Sequence, residues 1–310
     1  MLDKRISLMV ANNDEQQPYF FPFTSGGVCS QISPSEAVAL KKIDIKLADD
    51  IYLHIANTDD STFLYDLLRS YGTCSCNYEN LEFFAEEKLD IVVRNMTHCL
   101  EHCFFITFLL ICNKRPIAFF QVDPYRMEII ESIYQNKLLP RWNTFLDEPM
   151  DLHHLATQKE ADCKHWIENH INIEAFNDFI KARSLSWKAA DGGKFVFYSI
   201  QSYKLLRETL LQNQWLGNIS YNVLPEFQHK GLMSKMISSV ESILAKHTEC
   251  YGLFSDRIAD KNKRSIALLE KLNYNKLGTF LCYYGEDYHT RAHPQGNFSE
   301  SCVCFYKKII

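Results

Sequence analysis

The sequence predicts an α/β fold. Strand-like and helix-like segments alternate from residue 215 onward, and a strand, a glycine-bearing turn and an amphipathic helix follow one another between Asn218 and His247. Apolar residues make up 46% of the 310, ample for a real core and inconsistent with global disorder.

Residues 1 to about 40 are mixed in character, with a polar stretch at Asn12 to Gln17 and loop-like stretches at Thr24 to Gly27 and Ser33 to Ser35, so an irregular leader is expected. Ile51 to Ala56 reads as a strand. Asn57-Thr58-Asp59-Asp60 then supplies N-cap candidates for a helix carrying Phe63, Leu64, Leu67 and Leu68. A second helix is expected over Asn80 to His102. Phe104 to Ile111 and Pro116 to Val122 read as strands joined by the turn Cys112-Asn113-Lys114-Arg115.

Arg126 to Leu139 is helical, with apolar residues at Met127, Ile130, Ile133 and Tyr134, and Gln158 to Ile171 and Ile173 to Ala182 are further helices. Ala189 to Gly193 breaks the pattern, and Lys194 to Ile200 reads as a strand. Asn218 to Leu224 is a strand, and the helix Leu232 to His247 sets Leu232, Met236, Val240, Ile243 and Leu244 on one stripe. Tyr251 to Phe254, Leu277 to Tyr284 and Cys302 to Tyr306 are strands, and Lys263 to Leu272 is a helix.

The 33 Lys and Arg against 38 Asp and Glu leave a net charge of −5, the opposite of a nucleic-acid binder's basic excess. The most apolar run, Cys103 to Cys112, is about half of the ~20 residues a bilayer helix needs. The opening MLDKRISLMVANNDEQQ shows no apolar region followed by a small-residue cleavage site. Eleven cysteines, scattered through apolar strings such as Ser301-Cys302-Val303-Cys304-Phe305, suit reduced, buried thiols. A cytoplasmic protein with neither nucleic acid nor membrane as partner is expected.

The run Ile219 to Met233 carries the chemistry. A strand, a turn and a helix start aim several backbone N–H groups at one point, and the helix dipole reinforces them. A pyrophosphate suits that point, because Gly231 has no Cβ to block approach and Lys230 lends positive charge. On the glycine alone, an ordinary turn is the commoner meaning.

The wider context changes the balance. Gln228, Gly231 and Met233 resemble the Gln/Arg-x-x-Gly-x-Gly/Ala signature of the GCN5-related N-acetyltransferase (GNAT) superfamily. Asn262 to Tyr274 is similar to that family's Asn-x-x-Ser-x-x-Leu-x-Glu-Lys-Leu-Gly-Phe helix, and Leu139 to Asp147 to an Arg-x-Trp-Leu-Pro-like string of its Rim-type group, which acetylates the N-terminal amine of ribosomal proteins. The resemblance implies a GNAT fold, a mixed sheet flanked by helices in which two neighbouring strands splay into a V. It implies acetyl-coenzyme A as co-substrate, without a metal. Pantetheine is then expected along Tyr221 to Leu224, with Val223 and Leu224 as contacts. The pyrophosphate is expected on the amides of His229, Lys230, Gly231, Leu232, Met233 and Ser234, with Gln228 and Asn262 as further cofactor positions.

Several positions depart from the family pattern. His229 stands where glycine is frequent, and Met233 where a small residue is. Rim-like relatives often carry an acid at the place of Asn218, and an amide cannot serve as general base. Many members use a tyrosine at the place of Leu269 to support the departing thiolate. Ser265 is the nearest replacement and Tyr221 a weaker one, so Ser265, Tyr221 and Asn218 are the catalytic candidates, although Ser265 suits capping or packing equally well. The base has no assigned residue.

Other signals point away from chemistry. His98-Cys99 and His102-Cys103, with Cys74 and Cys76, have the residue types of a zinc site, but no Cys-x-x-Cys pair is present and the flanks are apolar. Cys163 beside His165 lacks an oxyanion-type glycine turn. Asp256, Arg257, Asp260, Lys261, Lys263 and Arg264 read as a solvated loop whose basic end is also placed to meet the adenosine 3′-phosphate.

Residues 115–310 are therefore expected to form the acetyltransferase domain, and residues 1–114 an N-terminal accessory region, a degenerate copy of the same fold. The alternative is one domain opening at Ile51 with a long insertion. The expected function is acetyl transfer from acetyl-coenzyme A to a primary amine (a protein N-terminus, a lysine or a small-molecule amine) by direct attack in a ternary complex. The other reading is a catalytically weakened GNAT-like module that binds coenzyme A or a protein partner.

Overall fold

A computed structural model describes residues 32–61, 105–135, 139–182, 191–210, 213–284 and 298–309. Its strands are β1 (Asp44–Ala48), β2 (Ile51–Ile55), β3 (Ile106–Cys112), β4 (Arg115–Arg126), β5 (Trp215–Val223), β6 (Cys250–Ala259), β7 (Asn275–Tyr284) and β8 (Phe298–Lys308). They form one sheet in the order β1-β2-β3-β4-β5-β6-β8-β7. Every pair is antiparallel except β5 and β6, which run parallel.

β3 and β4 read as near-continuous apolar runs, and Ile106 to Leu110 and Pro116 to Phe120 are buried on both faces of the sheet. Asn113 and Lys114, both left-handed with φ of 49° and 62°, make the tight turn between them. Two positive φ values in a two-residue loop match the right-handed twist of the flanking strands.

The helices are α1 (Pro34–Leu40), α2 (Met127–Ile133), α3 (Leu139–Trp142), α4 (Leu152–Thr157), α5 (Glu160–His170), α6 (Ile173–Ala182), α7 (Asp191–Thr209), α8 (Leu232–His247) and α9 (Lys263–Lys271). On one face of the sheet α2 to α7 bury Tyr134, Trp142, Phe176 and Tyr203 against Tyr125, Leu216 and Phe254. On the other, α1, α8 and α9 bury Leu40, Met236, Val240 and Leu269 against Leu53, Phe120, Trp215 and Leu253.

Two expectations are corrected. Lys194 to Ile200 is helical, not a strand, and lies within α7. Among its described side chains Val196, Phe197, Ile200 and Tyr203 are buried, a helical spacing that a short apolar run does not distinguish from a strand. Gly192 is a packing residue rather than a break, since a Cβ there would come within 2.8 Å of the Phe176 ring. The leader is not irregular throughout either. Ser33 caps α1 and Pro34 occupies its first turn, a helix-start signature.

The sheet crosses residue 114 without a break, because β2 pairs with β3 and β3 with β4. Glu36 of α1 reinforces this link. Its Oε1 accepts hydrogen bonds from Trp215 Nε1 at 2.9 Å and the Glu249 N–H at 2.8 Å. Its Oε2 accepts from the Ser33 N–H at 2.7 Å and from Arg126 at 3.1 Å. Residue 114 thus falls between neighbouring strands of one sheet, β3 and β4. The helices expected at Phe63 to Leu68 and Asn80 to His102, and the zinc candidates Cys74, Cys76, His98, Cys99, His102 and Cys103, lie outside the described residues.

Candidate active site

β5 and β6 open into a V. Their rungs run from Trp215↔Cys250 to Asn218↔Phe254 and then stop, although β5 continues to Val223 and β6 to Ala259. Beyond Asn218, β5 is paired only on its β4 side. The Leu224 N–H goes to Ile117 O at 2.9 Å on that side. One residue earlier, the Val223 N–H points into the opening, where Asn222 Oδ1 accepts it at 2.8 Å. Gln228 Nε2 reaches Val223 O at 3.4 Å.

The turn after β5 winds through a 3₁₀ segment, Pro225–Phe227, to the start of α8. His229 has φ 62° and Gly231 φ 72°, two left-handed residues that swing successive N–H groups toward the helix axis. Gly231 is required by its backbone angle rather than by crowding, since a Cβ there would meet nothing within 4 Å. No side chain caps α8, so its first-turn N–H groups, with those of Leu232, Met233 and Ser234 among them, present the positive end of the helix. Leu232 and Met233 point their side chains into the core, which explains why a small residue is not needed at Met233. Lys230 is exposed, its Nζ 4.9 Å from the Phe227 ring centroid.

The two sequence signatures meet in space. Arg264 at the start of α9 donates to Gln228 Oε1 at 3.1 Å. Asn262 is the N-cap of α9, its Oδ1 accepting the Ser265 N–H at 3.2 Å. A local capping role thus accounts for the Asn-x-x-Ser spacing.

Of the catalytic candidates, Tyr221 and Ser265 face one another on the α8 side of the sheet. Tyr221 stacks on Phe120 with centroids 6.1 Å apart, and its buried hydroxyl makes no hydrogen bond of ordinary geometry. Burial pushes the phenol up to about 12, against a smaller downward pull from the Ser265 hydroxyl. Asn218 stands on the opposite face at the last rung, 6% exposed, with Oδ1 buried and unpartnered. Leu269, at the place where the resemblance expects a tyrosine, is fully buried in the core.

An unpaired strand edge that ends at an uncapped helix N-terminus is the arrangement the GNAT resemblance implies. Residues 153–274 match the sequence model of the acetyltransferase (GNAT) family. Over that stretch the chain resembles the GNAT acetyltransferases. It is accordingly an acyltransferase by class, with the mixed, splayed and helix-flanked sheet of that fold. No curated protein sequence matches the chain significantly.

Among solved structures, the chain is similar to a RimL ribosomal L7/L12 alpha-N-protein acetyltransferase in complex with coenzyme A, at 8% identity and TM-score 0.45 over 86% of this chain and 98% of that one. It is also similar to a ribosomal-protein-S5-alanine acetyltransferase from Vibrio fischeri, at 10% identity and TM-score 0.42 over 86% and 97%. A third is the Microcin C7 self immunity acetyltransferase in complex with acetyl-CoA and AMP, at 10% identity and TM-score 0.43 over 87% and 99%.

The remaining signals fall into place as structure. Cys163 is buried in α5, and burial pushes its thiol up to about 11, unsuited to a nucleophile. Among the described residues no group of three or more His, Cys, Asp or Glu is arranged to hold a metal, and no helix is long and apolar enough to cross a membrane.

Proposed function

We propose that this GNAT protein transfers an acetyl group from acetyl-coenzyme A to a primary amine by direct attack in a ternary complex. The observation that carries the reading is the end of β5–β6 pairing at Asn218↔Phe254, with the uncapped start of α8 just past the far end of β5. These residues fit the co-substrate. An open strand edge suits an amide-bearing arm, and a helix N-terminus with open space at Gly231 suits a pyrophosphate. Acetyl-coenzyme A, when bound, supplies an acyl group already activated as a thioester.

The chain's own groups then divide the work. N–H groups of His229 to Ser234 hold the phosphates, assisted by Lys230, while Gln228 and Asn262 brace the loop and α9. Val223 offers its edge N–H and C=O, and buried Leu224 packs beneath them. Tyr221 keeps its proton at neutral pH, so its hydroxyl is a donor for a departing thiolate, with Ser265 beside it. Asn218 Oδ1 accepts an N–H of the incoming amine. Acceptors in this reading are a protein N-terminus, a lysine or a small-molecule amine.

Thiol release from acetyl-coenzyme A with a mixed panel of amines tests the proposal, alongside the rise in melting temperature that a ligand of the native state produces. Release above the water background with at least one amine is expected. Cofactor binding without release would favour the second reading, a weakened module, which draws support from the full burial of Leu269 where many family members present a tyrosine.

A further inference from the structure

Asn218 leaves the reaction without a base, and the sheet register supplies one. β4 and β5 run antiparallel, and Asp123 lies directly opposite Asn218. Cross-strand partners project to the same face. The neighbouring rung Tyr125↔Leu216 joins the core under α2 to α7, so Asp123 and Asn218 lie on that face, away from α8. On its other side Asn218 pairs with Phe254, the last rung before the strands part. Asp123 and Asn218 therefore stand side by side at the apex of the V.

Their chemistry is complementary to a cation that donates hydrogen bonds. Asn218 presents a buried amide oxygen that has no donor. Asp123 is half-buried, and Gln121 Nε2 donates to its Oδ1 at 2.8 Å, which fixes the tilt of the carboxylate. A buried acceptor oxygen left unpaired is costly, and an ammonium N–H satisfies it. Gln121, Asp123 and Ser220 share this face and keep partial exposure, and from here an acceptor amine reaches the apex.

We infer that Asp123 is the catalytic base of the acetyl transfer, an assignment that rests on the reading proposed above. Asp123 takes one proton from the acceptor ammonium while Asn218 Oδ1 holds another N–H, and passes that proton to solvent. The freed lone pair forms the C–N bond, the C–S bond breaks, and its electron pair leaves on sulfur. The second proton shed by nitrogen balances the thiolate, with the Tyr221 hydroxyl on the other face hydrogen-bonded to sulfur. Net products are an amide, a thiol and one proton.

The full-length Asp123→Asn variant tests this. Turnover with an alkylamine (pKa about 10.4) should fall roughly 10²–10³-fold, and the loss should shrink for a peptide α-amine (about 8) and further for a hydrazide, which needs no base. Coenzyme A affinity by calorimetry and the melting temperature should stay at the parental values. Binding of the same alkylammonium to the coenzyme A-bound protein should weaken, a readout independent of turnover. A double variant, Asp123→Asn with Asn218→Asp, returns a carboxylate to the apex and should recover part of the rate. A single variant within about threefold of the parent, or an equal loss with every amine, overturns the assignment. If the parent binds coenzyme A but releases no thiol with any amine, the acetyl-transfer reading fails and this one with it. A parent that turns over beside a variant that keeps pace removes Asp123 alone.

Discussion

Replacing Glu36 by glutamine keeps the volume and removes the charge at a side chain that is 5% exposed. Four donors converge on the native carboxylate: Trp215 Nε1 and the Glu249 N–H on Oε1, the Ser33 N–H and Arg126 on Oε2. A glutamine offers one oxygen and one NH₂, so either flip serves one pair of donors and sets the other pair against N–H groups. Hydrogen bonds to a charged acceptor are worth about 1.5–3 kcal/mol each, so losing two costs roughly 3–5 kcal/mol. For a chain of this size that is a fall in melting temperature of roughly 6–15 °C. Urea and thermal unfolding at neutral pH measure it.

The pH dependence provides a second check. Burial raises the Glu36 pKa, but the hydrogen bonds from Trp215, Glu249 and Ser33 outweigh it and hold the pKa below its ordinary value of 4.5. A depressed carboxylate contributes stability that is fully present above the unfolded value and disappears as pH falls through the folded value. The gap between parent and variant should therefore be flat from about pH 5 to 8 and narrow at lower pH. A variant within about 1 kcal/mol of the parent at neutral pH, or a gap undiminished near pH 3, would refute the reasoning.

Three further outcomes are expected. Gly231→Asp sets a carboxylate at the uncapped start of α8 and should weaken coenzyme A binding about 100-fold or more by calorimetry, whereas Gly231→Ala should cost mainly about 1 kcal/mol of stability. Equal affinity of the Asp variant and the parent would make the phosphate-loop assignment wrong. A chain starting at Lys114 lacks β1 to β3 and Glu36 and exposes a long β4 edge, so it should aggregate; a soluble product that binds coenzyme A would favour the two-unit division. Tyr221→Phe should lower kcat roughly 10–100-fold with little change in KM for acetyl-coenzyme A, and Ser265→Ala should do the same more weakly. An unchanged kcat in Tyr221→Phe would remove that hydroxyl from the leaving-group side.

What the sequence shows depends on how local each feature is. The unit from Asn218 to His247 is legible because strand, turn and amphipathic stripe are contiguous, and α8 has the bounds its spacing predicts. Lys194 to Ile200 misleads because its apolar residues are too closely clustered to reveal a period. In the fold the segment is helical, with Val196, Phe197 and Ile200 in the same core as Phe176. Asp123 is hidden, since its relation to Asn218 exists only once β4 and β5 are in register. Glu36 is hidden for the same reason, meeting Trp215 across 179 residues of chain. Asn262 shows how a signature position has a simpler local cause, a helix cap.

The hydrogen bonds at Val223 have a consequence for how the protein survives with its sheet split open. A bare strand edge invites pairing with any extended segment, including another copy's edge. Here Asn222 covers the Val223 N–H and Gln228 reaches the Val223 carbonyl, with Arg264 anchoring Gln228 from α9. A ligand arm that pairs with Val223 therefore exchanges one set of hydrogen bonds for another and gains little at that point. Discrimination shifts to the distant end of the ligand, where an anion meets the helix start, so strand-like intruders without a phosphate meet an edge whose last residue is already bonded.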